Sequence, residues 1–266
     1  AGHLSRARYY APTTADISGV KTRCGDYDQS GLESVMNQSK IIGDAVENYS
    51  LYASGQTAIA FCVSIDHARN VAEAFCRAGY DAATIDGTLT STERRSRVEA
   101  LGNGELKIVT SCEIINEGFD VPIVGGAILL RPTQSLGLHL QQIGRVLRPA
   151  PGKDFAVVID HVGNLSRHGL AHGIRNWSLE DRPKRSGNKG ATPDVRQCPE
   201  CYCCHDPQDN VCPGCGHEYE KQGREIEVVD GRLVEFEESM LTNRHEDGPA
   251  RTYQDLLEIA KARGYK

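Results

Sequence analysis

The chain has no apolar run approaching the ~20 residues that a helix needs to cross a bilayer. No charged-then-apolar leader opens it either, so it reads as a cytoplasmic protein with no membrane partner. Two nucleotide-binding signatures are also missing. There is no G-x-x-x-x-G-K-[ST] loop to cradle phosphates and no D-E-x-x box to hold magnesium. A broad basic surplus is absent too: the net charge is −6 and the pI near 5.9. Any contact with a polyanion must then be a local patch. What remains, 266 residues with 39% hydrophobic content, suffices for one sizeable core and a small appendage.

Strand and helix patterns alternate along most of that length. Thr57–Val63 is an apolar run of buried-strand type, and apolar residues Ala68, Val71, Ala72 and Phe75 at spacings of three and four predict a helix over 67–78. Ser64 or Asp66 is placed to cap it, and Gly79 to end it. A strand follows over 82–85. Thr90 and Glu93 form a capping box for a helix through Leu101. Further strands are expected over 106–110, 126–130 and 155–159, with a helix over 136–147, and 32–53 also reads as helical. Repeated β-α-β alternation implies an α/β fold with a parallel, twisted sheet, helices on both faces, and ligands outside the carboxyl ends of the strands.

The most telling stretch is Gln141-Gln142-Ile143-Gly144-Arg145-Val146-Leu147-Arg148. Two arginines three apart share one face of a helix, and paired guanidinium forks suit charge spread over phosphate oxygens. Alone, such a pair reads first as a solvated basic helix end. Upstream lies Asn116-Glu117-Gly118-Phe119-Asp120-Val121-Pro122, and between the two Arg131-Pro132-Thr133-Gln134-Ser135. The three motifs, in this order, resemble the fifth motif, the connecting element and the sixth motif of superfamily 2 helicases, the group that contains the DEAD/DEAH-box proteins.

That resemblance covers about residues 10–180 and implies the second RecA-like (P-loop NTPase-type) lobe of an ATP-dependent helicase or translocase. It implies Arg145 and Arg148 at the γ-phosphate and Gln141 coupling closure to hydrolysis. Glu117, Gly118 and Asp120 would meet the nucleotide, Asp120 at the ribose. Gly87, Arg94 and Ser111 would grip a nucleic-acid backbone, although Arg94 with Arg95 and Arg97 reads equally as a solvated helix face. The polymer is DNA or RNA, with DNA favoured. ATP with magnesium would be held mainly by an N-terminal RecA-like lobe elsewhere, so the chain alone is expected to be inactive. Asp160-His161-Val162-Gly163-Asn164 and Arg167-His168-Gly169 accompany this lobe in bacterial and phage relatives, with no mechanism attached.

Of ten cysteines, six fall between 198 and 215. Cys198-Pro199-Glu200-Cys201 and Cys212-Pro213-Gly214-Cys215 form paired C-x-x-C knuckles, and four thiolates suit tetrahedral zinc. The ten-residue spacer between them leaves Cys203, Cys204 or His205 open as a replacement for Cys201, and His217 at the far end. A domain plan follows. Residues 1–45 form an interlobe connection packing against the sheet, 46–180 the helicase C-terminal domain, 181–196 a basic flexible linker, 197–220 a zinc ribbon, and 221–266 a tail with a short hairpin and helix. Two other readings stand beside the motor: a non-catalytic zinc-dependent nucleic-acid-binding module, and one lobe of a restriction or nuclease assembly.

Overall fold

A computed structural model of the chain describes residues 4–12, 14–23, 25–112, 120–175 and 195–219. The expected linker (181–194 of it), the 221–266 tail, Glu117 and Gly118 lie outside the described residues. The chain divides into two compact units, 1–221 and 222–266; all that follows concerns the first. No helix among the described residues is long and apolar enough to cross a membrane.

The core is a sheet whose central strands follow the apolar runs closely. β4 (Ala58–Phe61), β5 (Ala82–Ile85), β6 (Ile108–Ser111), β7 (Gly126–Leu129) and β8 (Phe155–Asp160) are all parallel to their neighbours. Every residue of β4, β6 and β7 is buried. Continuous rather than alternating burial is what a sheet covered on both faces requires. α3 (Ile65–Arg77) follows β4, α4 (Ser91–Gly102) follows β5, and α5 (Leu136–Val146) follows β7. Right-handed crossovers place α3 on one face and α4 and α5 on the other, because the strand order reverses direction after β5.

The local signals act as expected. Ser64 Oγ accepts from His67 N at 3.1 Å and caps α3, whose residues Ala68, Val71, Ala72 and Phe75 are buried. Thr90 and Glu93 close the capping box of α4. The predicted 32–53 helix is two helices, α1 (Gln29–Met36) and α2 (Ser39–Tyr52). Asp28 caps the first through Gly31 N. Tyr49 of α2 meets Phe75 and Tyr80 edge-on, at 5.5 and 5.1 Å between centroids, and donates its hydroxyl to Gln56 O.

Two features extend the parallel sheet beyond expectation. β1 (Arg6–Tyr10) does not merely lie against it but pairs in parallel with β8, Arg6 opposite Phe155 and Tyr10 opposite Ile159. A two-residue hairpin, β2 (Thr22–Arg23) and β3 (Asp26–Tyr27), follows it. Beyond β1, β10 (Cys203–His205) pairs antiparallel, and β9 (Arg196–Gln197) pairs with β10. The order is β5-β6-β4-β7-β8-β1-β10-β9. The sheet is thus mostly parallel, with a mixed edge supplied by the cysteine-rich segment.

Candidate functional site

α5 leaves the carboxyl end of β7 and runs back along the sheet, so its last turn arrives at the opposite, amino edge. The helix stops at Val146, with Leu147 as its C-cap. Pro149 disfavours helical backbone at Arg148 and ends the helix there. Arg145 therefore lies in the last turn and Arg148 just past it, not together on one helical face as their spacing predicts.

Asp120 brings the two arginines together instead. The Arg148 guanidinium pairs with the Asp120 carboxylate, their side chains 35% and 70% exposed. Burial lowers the Arg145 pKa, the neighbouring Arg148 lowers it further, and Asp120 opposes both. Two cations and one anion thus share a partly open site with a net single positive charge. A solvent-exposed ion pair contributes only about 0–1 kcal/mol, so a phosphate can compete for Arg148 at little cost.

The backbone around these residues fixes which edge they occupy. Ser5 N donates to Leu147 O at 2.8 Å and Ser5 Oγ to Arg148 O at 3.3 Å, while Gly125 N donates to Thr57 O at 3.0 Å. Ser5, Thr57 and Gly125 stand just before β1, β4 and β7. The arginine site therefore lies outside the amino ends of the strands, which corrects the expectation drawn from strand-helix order.

At the carboxyl ends of β4, β5 and β6 is a separate crevice of about 580 Å³, lined by Gln29, Glu33, Ser64, Gly87, Thr88 and Cys112 among others. Ser64 Oγ donates to Glu33 Oε1 at 2.5 Å, and Gln29 Nε2 to Val63 O at 2.9 Å. Of the three residues expected to touch a nucleic-acid backbone, Gly87 lines this crevice. Ser111 is buried beneath it, its hydroxyl without a hydrogen-bond partner. Arg94 turns back to donate to Leu89 O at 3.5 Å. Cys112 lines the wall instead and donates its thiol to Val63 O at 3.1 Å.

The turn that opens α5 is clamped from two sides. Asn164 Oδ1 accepts from Thr133 N at 3.1 Å and from Arg167 at 2.9 Å, and its Nδ2 donates to Arg131 O at 2.9 Å. Asp26 accepts from Thr133 Oγ1 at 2.8 Å and from Gln134 N at 2.7 Å. The His168 ring meets Thr133 O at 2.8 Å. Buried Asp160 accepts from Val162 N and Leu165 N, and α6 (Asn164–His168) starts there. The D-H-x-G-N…R-H-G stretch, without a mechanism in the sequence, is this clamp.

Cys198, Cys201, Cys212 and Cys215 bring four sulfurs within 4.8 Å of one another, with Cys198–Cys215 at 3.7 Å and Cys201–Cys212 at 3.6 Å. The edge of a tetrahedron with Zn–S legs of 2.3 Å is about 3.8 Å, so these residues fit a zinc ion. Gly214 N donates to Cys212 Sγ at 3.3 Å. A β-carbon at Gly214 would stand 3.2 Å from Cys201 Sγ and 3.0 Å from Cys203 Cβ, which explains the glycine. Burial raises the Cys198 thiol pKa, but amides of Cys201 and Glu200 outweigh it and pull it down to about 6, whereas burial pushes the Cys201 thiol up. Of the alternatives, the Cys203 thiol lies against the cluster, beside Cys212, without joining the group of four, whereas the His205 ring bonds Tyr219 Oη at 2.7 Å and faces Asp209 at 3.3 Å, and His217 stacks edge-on with Tyr219. Tyr202 takes a left-handed φ of 58° at the place Gly216 holds, with φ 78°, in the second knuckle.

With this geometry in view, residues 40–150 match the model of the helicase conserved C-terminal domain. Those residues form a helicase conserved C-terminal domain. It is 32% identical over 265 residues to a 51.5 kDa protein of a Lactococcus phage, covering 98% of this chain and 58% of that protein. It is 30% identical over 155 residues to a Saccharomyces cerevisiae protein, IRC3, named as a candidate ATP-dependent helicase, covering 57% of this chain and 22% of that one. The chain thus spans less than two-thirds of either relative. Its fold is similar to a fragment of a candidate HsdR subunit of a type I restriction enzyme from Vibrio vulnificus, with TM-score 0.52 and 17% identity, covering 63% of this chain and 34% of that one.

Within the helicase lobe, Arg145, Arg148 and Asp120 come together, and the four cysteines do so separately. Gln141 is exposed on α5 while Gln142 is buried. Asp26 escaped the sequence reading because nothing local ties it to Thr133, more than a hundred residues away. Lys153 also escaped it, although Pro151-Gly152 announces the turn that aims it.

Proposed function

We propose that this lobe closes on ATP held by a phosphate-loop lobe and drives movement along a nucleic-acid strand. Arg145 and Arg148 would face the γ-phosphate as its charge spreads during transfer, with Asp120 at the ribose and Gln141 linking closure to cleavage. The observation that carries the reading is the convergence of Arg145, Arg148 and Asp120 in one partly exposed site where the Asp120–Arg148 pair is weakly held. Magnesium would come with the nucleotide, bound by the other lobe. Glu117 and Gly118 belong to the same reading by their place in the motif before Asp120.

The strand, DNA or RNA, would run along the carboxyl edge at Gly87, with Ser111 and Arg94 supporting the crevice wall. Phosphate contacts of this kind position a strand without reading its sequence. Zinc at the four cysteines would fix the 197–220 segment to the lobe defined by residues 46–180. The test is ATP hydrolysis by the whole protein with and without single-stranded and duplex DNA and RNA. Stimulated turnover that is lost in Arg145→Ala/Arg148→Ala supports the motor and identifies its polymer. Nucleic-acid binding without turnover in any mixture favours a binding module instead.

A further inference from the structure

The segment between Arg148 and β8 is built as a turn. Pro151 presets φ near −65° at its second position, and Gly152 adopts φ 77° at the third. Lys153 N donates back to Ala150 O at 3.2 Å. This reversal sends the Lys153 side chain inward under the arginine site. Its ammonium donates to Val124 O at 2.6 Å, Arg148 O at 2.8 Å and Pro122 O at 3.0 Å.

Three donors meet three carbonyls, which uses the full capacity of an ammonium. Burial lowers the Lys153 pKa to about 8, which still leaves the group mostly charged at neutral pH. Two of the acceptors belong to the strand-leading segment just after Asp120, and the third is the carbonyl of Arg148 itself. Asp120 and Arg148 also pair through their side chains, on the exposed side. That outer pair must open when a nucleotide enters, whereas the Lys153 bonds lie beneath it and can persist.

We propose that Lys153 is a positioning residue for the nucleotide site. It holds the backbone carrying Asp120 at a fixed separation from the backbone carrying Arg148, so that ribose and phosphate contacts form together. The inference rests on the reading of Asp120, Arg145 and Arg148 as that site. Lys153 touches no nucleotide itself, and its effect falls on the transition-state geometry.

The test is steady-state ATP turnover by the whole protein, with Lys153→Met, Arg145→Ala/Arg148→Ala and a stability-matched core variant, Phe75→Leu. Lys153→Met keeps the aliphatic stem and removes all three donors. It should lower kcat by about tenfold or more while KM for ATP shifts by only about two- to threefold. Phe75→Leu, equally destabilised, should turn over near the wild-type rate. If the arginine variant is inactive and Lys153→Met keeps wild-type kcat, the inference is overturned while the site reading stands. If Lys153→Met and Phe75→Leu lose activity equally, the role is structural and the inference is overturned. Full turnover in the arginine variant would overturn the site reading and this inference with it.

Discussion

Tyr10 of the parallel sheet is the direct antiparallel partner of Cys203, which lies two residues beyond the zinc-ligand candidate Cys201. The first cysteine knuckle is therefore flanked by two strands of the lobe's sheet. Ala11 N donates to Tyr202 O at 3.1 Å, and the Gln197 amide reaches Ala11 O, so both flanks of the first knuckle are bound to the end of β1. A tethered ribbon would unfold alone when stripped of metal; this arrangement spreads the loss into β1.

With zinc held at the four cysteines as proposed, its chelation should destabilise the whole lobe. Metal sites of this type contribute about 10–16 kcal/mol of apparent binding in small zinc peptides, and a loss of 2 kcal/mol alone shifts Tm by about 4–8 °C at this size. Thermal unfolding with and without a chelator, together with amide exchange at Tyr9–Ala11, measures it. Unchanged Tm and protection after metal loss would contradict the coupling.

Asn164→Ala should remove one side of the clamp on the Arg131–Ser135 turn and leave the Asp26 side in place. Thr133 N and Arg131 O would lose their partner inside the protein, at a cost of about 2–3 kcal/mol. Denaturant unfolding reads this directly. A loss below about 0.5 kcal/mol would show that water replaces the amide.

Acid should unfold the lobe through its histidines. Burial depresses the pKa of His67, His139 and His161 to about 4, with His168 adding to the effect at His139. In the unfolded chain each titrates near 6.5. The stability of keeping them neutral is thus complete above pH 6.5 and is lost as pH falls from there towards 4. Each contributes a slope of about 1.4 kcal/mol per pH unit in that window. Unfolding free energy measured between pH 7.5 and 4.5 should fall, and fall less steeply in His67→Gln. A flat profile would mean that these rings titrate normally.

The parallel core was legible because its signals are local. The buried run at Ala58–Phe61, the Ser64 cap and the Thr90–Glu93 box each lie within a few residues of what they control. The four cysteines were legible because ligand spacing is a local constraint too. β1 was not: Arg6–Tyr10 alternates weakly and gains its place only by pairing with Phe155–Ile159, some 150 residues away in the chain. The edge occupied by the arginines was equally hidden. Sequence order shows that α5 follows β7, but only the length of the helix, set by Pro149, shows that Arg145 and Arg148 end up beside Asp120.

In the proposed motor, Arg145 and Arg148 act on the phosphate as it transfers, not merely on its binding. Single-turnover ATP cleavage by the whole protein on its stimulating strand, with nucleotide affinity measured separately, separates these roles. In Arg145→Ala/Arg148→Ala, cleavage should fall on the order of 10³-fold or more, with affinity changed by less than about tenfold. Cleavage at the wild-type rate in that variant would show that the two arginines have no part in phosphoryl transfer.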